Sequence, residues 1–281
     1  LGTIIDGKMT SKIIKDELKG QVVSLKEQGV EPTLAVVLVG GDPASQVYVK
    51  HKKKACEYVG IRSLAYELSA ETTEEELLEL IATLNSKKDV HGILVQLPLP
   101  KHINEEKVLL AIDPAKDVDG FHPVSVGNLS IGREGFVSCT PAGIIELLKR
   151  YEIPIEGQNC VIIGRSNIVG KPVSMLLLRE SGTVTICHSR TKDLPGVCKQ
   201  ADILVVAIGR PNFVTKDFVK EGATVIDVGV NRLESGKLCG DVAYEECAEI
   251  AGAITPVPGG VGPMTIAMLM KNCVQSASRC L

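Results

Sequence analysis

The apolar positions of this chain switch repeatedly between a helical period and short unbroken runs. Ile13, Ile14, Leu18 and Val22 recur at helical spacing between Thr10, a candidate cap, and a glycine stop at Gly29. Thr33–Gly40 follows as a continuous β-branched and apolar run, the pattern of a parallel strand buried on both faces. Gly41-Asp42-Pro43 reads as a turn, Ser45 to Gly60 as a helix, and Ile61–Leu68 as a weaker strand. Thr72 and Thr73 each stand three residues before a glutamate, overlapping capping boxes for a helix to Asn85. Val90–Leu97 is another buried strand, then Asn104–Ile112 a short helix and Asp113–Pro123 a polar loop. This alternation predicts a three-layer α/β domain around a parallel sheet.

Beyond it, Thr140-Pro141 reads as an N-cap with proline at N1, opening a helix to Tyr151. Val161–Ile163 is a short β-branched run that breaks at Gly164, and Ile168–Leu178 is helical in pattern. A strand turning sharply into a helix aims unpaired N–H groups at whatever lies above the turn, which favours an anion such as a dinucleotide pyrophosphate. The G-x-G-x-x-G fingerprint is degraded here: Gly164 is present, Ser166 replaces the second glycine, and the last slips to Gly170. The apolar runs Thr183–Cys187, Asp202–Gly209, Thr224–Val230 and Ala253–Val257 complete the pattern of a dinucleotide-binding fold. Where such folds carry an acidic residue for the ribose 2′-OH, the second run ends in His188-Ser189-Arg190-Thr191. With Arg165 in the first turn, that basic, hydroxylic end suits a 2′-phosphate and therefore NADP over NAD. From Pro263 a last helix carries Met264, Ile266, Met268 and Leu269, and its natural role is to return and pack on the first domain.

Composition narrows the picture. At 281 residues the chain has room for two modest domains, and a net charge of −3 gives no electrostatic reason to expect nucleic acid or an anionic membrane. No apolar stretch approaches the ~18 residues of a membrane span, and no signal peptide is visible. Nine cysteines without a C-x-x-C pair read as reduced core thiols in a reducing compartment, so a cytoplasmic location is expected. None of the five histidines forms a metal-spaced pair, and no catalytic metal is expected.

Candidate chemistry clusters at strand ends and helix starts. Tyr48 and Lys52 face the same way on one helix, although taken alone Lys50, Lys52, Lys53 and Lys54 read as a solvated charged face. Gln96 ends a buried strand, where open α/β sheets present ligand-binding groups. Asp117 and Asp119 lie in a loop whose Asp, Gly and Pro content is also plain turn chemistry. Pro256–Pro263 is stiff yet leaves backbone N–H groups unobstructed, and Asp227 is a carboxylate inside an apolar strand that needs partners.

Five motifs occur together and in order: Tyr48-Val-Lys-His-Lys52, Gly92-Ile-Leu-Val-Gln96-Leu-Pro-Leu-Pro100, Lys116-Asp-Val-Asp119-Gly-Phe, Gly164-Arg-Ser-Asn-Ile-Val-Gly170 and Thr255–Thr265. Over essentially its whole length the chain resembles the bifunctional methylenetetrahydrofolate dehydrogenase/methenyltetrahydrofolate cyclohydrolase family. The resemblance implies an N-terminal three-layer α/β catalytic domain for folate (1–139 plus 262–281) and a Rossmann-type NADP-binding domain (140–261). It implies Lys52 as the central catalytic group, Gln96 as the residue that positions it, and Tyr48 stacked on the folate rings. Asp119 would take the pterin N–H donors, with Val95, Leu97, Pro258, Gly259, Gly260 and Pro263 completing the folate site. Gly164, Arg165, Ser166 and Ser189 would hold NADP, with Val230 near the nicotinamide. A cytoplasmic homodimer of one-carbon metabolism, supplying purine biosynthesis, is the corresponding expectation for assembly and role. Two other readings compete: a two-domain NADP dehydrogenase of shikimate-dehydrogenase type, and a folate- or NADP-binding module without catalysis. The first leaves Gln96-Leu-Pro-Leu-Pro unexplained, and retention of Lys52 and Gln96 speaks against the second.

Overall fold

The computed structural model describes residues 2–281. In chain order its elements are β1 (Thr3–Ile4), α1 (Gly7–Glu27), β2 (Thr33–Val39), α2 (Pro43–Val59), β3 (Arg62–Leu68), α3 (Glu74–Ser86), β4 (Gly92–Val95), α4 (Glu105–Ala111), α5 (Pro123–Ser130), α6 (Cys139–Arg150) and β5 (Asn159–Ile163). There follow α7 (Gly170–Arg179), β6 (Thr183–Cys187), α8 (Leu194–Cys198), β7 (Ile203–Val206), β8 (Thr224–Asp227), β9 (Asn231–Arg232), β10 (Leu238–Cys239), α9 (Tyr244–Ala248), β11 (Ala253–Ile254) and α10 (Val261–Ser278), with a 3-10 turn at Lys216–Phe218. Two compact units emerge: one holds the chain through Ser11 and Ser138–Thr265, the other Lys12–Val137 and Ile266–Leu281.

The second of these units is built on a parallel three-stranded sheet of order β3-β2-β4. All seven residues of β2 are buried, as an unbroken apolar run demands of a central strand. Ala35, Val37, Val39, Ile93 and Val95 meet Leu77, Ile81 and Leu84 of α3 and Val108 of α4 on one face. α2 packs against β2 and β3, and Cys56 Sγ of α2 lies 3.6 Å from Met270 Sδ of α10. Burial pushes the Cys56 thiol up to about 12, so it stays a core thiol. α10 is tied to this unit through Asn272 Nδ2, which donates to Val118 O at 2.8 Å, and Ser276 Oγ, which donates to His91 O at 2.6 Å. The C-terminal helix thus packs where its apolar pattern predicts.

The other unit holds a six-stranded sheet of order β1-β11-β8-β7-β5-β6, parallel throughout. β5 pairs with β6 on one side and β7 on the other, which makes the β5/β7 gap the topological switch point.

Four sequence expectations are corrected. Residues 2–11 join this second sheet's unit and not the one that follows them: Thr3 pairs with Ala253 and Ile4 with Ile254, which covers the outer edge of β11. Two residues are too few to show a period. α1 opens at Gly7, where Asp6 Oδ1 accepts from Met9 N at 2.9 Å, and Thr10 is buried inside the helix with its hydroxyl on Asp6 O. α2 opens at Pro43, capped by Asp42, not at Ser45. α6 opens at Cys139, so Thr140 lies within its first turn and its hydroxyl meets Thr265 Oγ1 at 2.8 Å.

Candidate active site

The lysine run of α2 separates into one half-buried side chain and three exposed ones. Lys52 lies between the buried Val49 and Cys56 on the helix's inner stripe, while Lys50, Lys53 and Lys54 face solvent. Its Nζ donates to Gln96 Oε1 at 2.9 Å. Gln96 follows β4, with its backbone N–H donating to Val37 O at 2.8 Å, so the residue is set by the sheet. Its Nε2 donates to Leu97 O at 2.8 Å, which leaves the amide oxygen to face Lys52. Tyr48, one turn before Lys52, is 52% exposed and offers its ring to a partner outside the chain.

The loop after α4 runs beside β4: Ile93 N donates to Lys116 O at 2.9 Å, and Ile93 and Asp117 form a parallel bridge. The two loop aspartates then divide. Asp117 is buried and accepts from His122 N at 2.8 Å, Ser125 Oγ at 2.9 Å and Phe121 N at 3.3 Å, so it organises the turn into α5. Burial raises its carboxyl above the usual range, partly offset by those donors. Asp119 is only partly buried, and among the described residues its carboxylate accepts no hydrogen bond. Its carboxyl is pushed up to about 6 by desolvation, with Lys52 pulling it back and Asp117 adding to the rise. Lys52, Gln96 and Asp119 therefore belong to one polar group of this unit: a positioned amine, the amide that aims it, and a carboxylate with unused acceptor capacity. The Val95 side chain is buried in the core and Leu97 packs on the same cluster, so these two offer a ligand mainly backbone.

In the other unit, a cavity of about 340 Å³ opens at the switch point between β5 and β7. It is lined by Gly164, Arg165, His188, Ser189, Ala207 and Arg210 among others. Gly164 has a φ of +126°, and a Cβ there would stand 2.3 Å from Ala207 O. A Cβ on Gly170 would stand 2.3 Å from Gly164 O, so the displaced last glycine does the close-packing work of the usual fingerprint. Ser166 Oγ accepts from Val169 N at 3.2 Å and Gly170 N at 3.3 Å, closing the start of α7. Ser166 is thus first a helix cap, with its hydroxyl proton left to donate. Ser189 and Arg190 are exposed after β6, and Val230 is exposed after β8. The donor set fits a phosphorylated dinucleotide: cationic and hydroxyl groups ring the cavity, and its lining contains no carboxylate.

Tyr48, Lys52, Gln96 and Asp119 share one unit, whereas Pro258, Gly259, Gly260 and Pro263 belong to the unit of the dinucleotide cavity. There Lys8 N donates to Gly259 O at 2.9 Å, and a Cβ on Gly7 would meet Gly260 O at 1.7 Å. Arg210 and Asp241 were not legible as site residues. Arg210 stands in an ordinary turn sequence, and Asp241 shows only as an acid after Gly240 before an apolar residue.

The chain matches two family models, tetrahydrofolate dehydrogenase/cyclohydrolase catalytic domain over residues 5–119 and its NAD(P)-binding domain over residues 138–281. It is 68% identical over 279 residues to a bifunctional protein FolD of Lachnoclostridium phytofermentans, covering 99% of each chain. The structure of the bifunctional FolD methylenetetrahydrofolate dehydrogenase/cyclohydrolase from Campylobacter jejuni is 56% identical, with a TM-score of 0.98 and full coverage of both chains. The Trypanosoma brucei FolD, whose structure holds NADP cofactor and an inhibitor, is 40% identical over 99% of this chain and 98% of that one, with a TM-score of 0.94. A shikimate 5-dehydrogenase from Thermus thermophilus, 16% identical over 88% of this chain and all of that one with a TM-score of 0.52, shares the fold alone.

Proposed function

The chain belongs to the tetrahydrofolate dehydrogenase/cyclohydrolase family, and from that premise we propose that it oxidises 5,10-methylenetetrahydrofolate with NADP⁺ and hydrolyses the 5,10-methenyl product to 10-formyltetrahydrofolate. The observation that carries the reading is Lys52 Nζ held 2.9 Å from Gln96 Oε1, on the one half-buried lysine of its run.

Bound NADP⁺ supplies the hydride acceptor. The chain's part in that first step is to hold and align the reactants, which is most of what a direct two-electron transfer needs. Tyr48 stacks on the folate rings, and Asp119 accepts from the N–H donors of the pterin edge, the use its unpartnered carboxylate suits. Gly164 would let the backbone approach the pyrophosphate, Arg165 and Ser189 would take the 2′-phosphate, and Val230, exposed after β8, would lie by the nicotinamide. Ser166 fixes the start of α7 and donates its free hydroxyl proton to the same anion.

Hydrolysis asks more of the protein. Water must lose a proton as it attacks the methenyl carbon, and the departing ring nitrogen must gain one. Lys52 accepts the first proton and returns one to the nitrogen, while the carbinol hydroxyl proton, lost as the ring opens to the formyl group, leaves to solvent; hydrolysis of the cation therefore releases one proton overall. The cationic bridge disfavours a second positive charge beside it, which suits an amine that must accept a proton. Gln96, carrying no charge, fixes where the amine points. We extend the reading to a cytoplasmic homodimer whose 10-formyl product serves purine biosynthesis. The family relation alone supports that extension.

Incubation with 5,10-methylenetetrahydrofolate and NADP⁺ tests the whole reading by absorbance. The methenyl band should rise and then decay faster than in protein-free buffer. No rise removes the dehydrogenase; a rise followed by decay at the uncatalysed rate removes the cyclohydrolase.

A further inference from the structure

Asp241 is fully buried, pairs with no cation among the described residues, and is saturated with donors. Oδ2 accepts from Ile208 N at 2.8 Å and Gly209 N at 2.9 Å, and Oδ1 accepts from Arg210 N at 2.8 Å and Asn231 Nδ2 at 2.9 Å. Three consecutive backbone N–H groups after β7 thus converge on one carboxylate, and the fourth donor comes from the segment after β8. Ala207, Ile208 and Arg210 of the first segment line the cavity at the switch point, and Arg210 stacks with its guanidinium 4.4 Å from the Phe213 ring centroid. Behind Asp241 sits a second buried carboxylate. Asp227 Oδ1 accepts from Asp241 N and Gly229 N, each at 3.0 Å, and Oδ2 from Val242 N at 2.9 Å. Two glycines make room: a Cβ at Gly229 would lie 2.2 Å from Asp241 Oδ1, and one at Gly240 1.8 Å from Asp227 Oδ2.

We propose that Asp241, itself held by Asp227, is a positioning residue for the dinucleotide: its carboxylate clamps the loops after β7 and β8 in the shape that presents Arg210 to the cofactor's phosphates. The proposal rests on the reading of this cavity as the NADP site. Consecutive N–H groups of this kind form a nest that binds anions. Here the protein fills the nest with its own carboxylate, so the ligand's phosphates cannot use it and fall to the side chains of Arg165 and Arg210. Neither aspartate reaches the ligand; the effect passes through the loop.

The test is calorimetric titration of NADP⁺ into the full chain, its Arg165→Ala, Arg210→Ala and Asp241→Asn variants, and the Asp241→Asn/Arg210→Ala double variant. Asp241→Asn sets an amide N–H against backbone N–H groups and should weaken NADP⁺ about tenfold, the scale of losing a charge-assisted contact. Removing Arg210 from that variant should cost no more than about twofold further, because a misplaced arginine has nothing left to lose. A merely structural aspartate would lower the melting temperature without this coupling, so additive losses, or an unchanged Kd in Asp241→Asn, overturn the proposal. An unchanged Kd in Arg165→Ala would instead overturn the reading of the cavity. If Asp241→Asn does not fold, Asn231→Ala strips one of the four donors and leaves the carboxylate in place. A roughly threefold weaker NADP⁺ affinity supports the clamp there, and an unchanged one overturns it.

Discussion

Asp119 in one unit and Asp227 in the other both have carboxyls pushed up to about 6 by burial, and they stand among opposite partners. Asp227 accepts three backbone N–H groups, which pull its carboxyl back down while Asp241 nearby pushes it up. Among the described residues Asp119 accepts none, and besides desolvation only the charges of Lys52, which lowers its carboxyl, and Asp117, which raises it, act on it. A perturbed carboxyl therefore does not by itself mark a binding residue. What separates the two is unused acceptor capacity: the buried, satisfied carboxylate holds backbone, and the half-buried one keeps its acceptors open to donors from outside.

The largest effect that sharpens this contrast should come from the amine held by Gln96, whose charge Asp119 feels. Lys52→Met keeps the stem and deletes the proton carrier, so methenyl hydrolysis should fall at least ~100-fold while some dehydrogenase activity survives. Near-normal hydrolysis, corrected for the uncatalysed rate, would return Lys52 to the solvated face. Next comes Asp119→Asn, which turns an acceptor toward a donor and should weaken folate by about 1.5–3 kcal/mol with NADP⁺ binding near normal. Unchanged folate affinity in calorimetry would make Asp119 a turn residue like Asp117. On the dinucleotide side, Arg165→Ala should weaken NADP⁺ by a similar ~1.5–3 kcal/mol and affect NAD⁺ much less. Equal catalytic efficiency of the unaltered protein with NAD⁺ and NADP⁺ would defeat that assignment.

Stability should split the two aspartates in sign. Asp227→Asn leaves backbone donors facing an amide and should cost about 1–3 kcal/mol. Asp119→Asn should do the reverse at neutral pH. With its carboxyl at about 6 when folded and near 3.9 unfolded, the folded state binds the extra proton between those values. Stability then falls as pH rises through that window, and above it the fold carries a partly desolvated charge that Lys52 offsets only in part. The Asp119→Asn protein should therefore melt above the unaltered one at pH 7.5, with the gap closing toward pH 4. A melting temperature below the unaltered protein at pH 7.5 would contradict it. The smallest effect belongs to the exposed neighbours: Lys53→Met should shift stability by no more than ~0.5 kcal/mol and leave both activities intact. A loss of hydrolysis there would show that the run, not Lys52, matters.

By itself the sequence determined the alternation of strands and helices, because buried central strands such as β2 must be apolar at every position and helices must repeat at their own period. It also determined the strand–turn–helix at Gly164, the want of an acid after Cys187, and, through motifs in order, the family and its two activities. Local spacing could not choose among four lysines or between Asp117 and Asp119, since each choice turns on which side chain the sheet and α2 leave half-buried and which acceptors the turn consumes. Tertiary structure decided those. It also decided that Thr3–Ile4 closes the edge of a sheet whose other strands lie 150 and more residues away in the chain, a pairing that carries no local signal. The Asp227–Asp241 clamp was hidden for the same reason. A lone aspartate in an apolar stretch announces that it needs partners. Only the return of the chain past β7 and β8 shows that the partners of Asp227 are the backbone of Gly229, Asp241 and Val242, and that Asp241 in turn holds the backbone of Ile208–Arg210 beside the cavity.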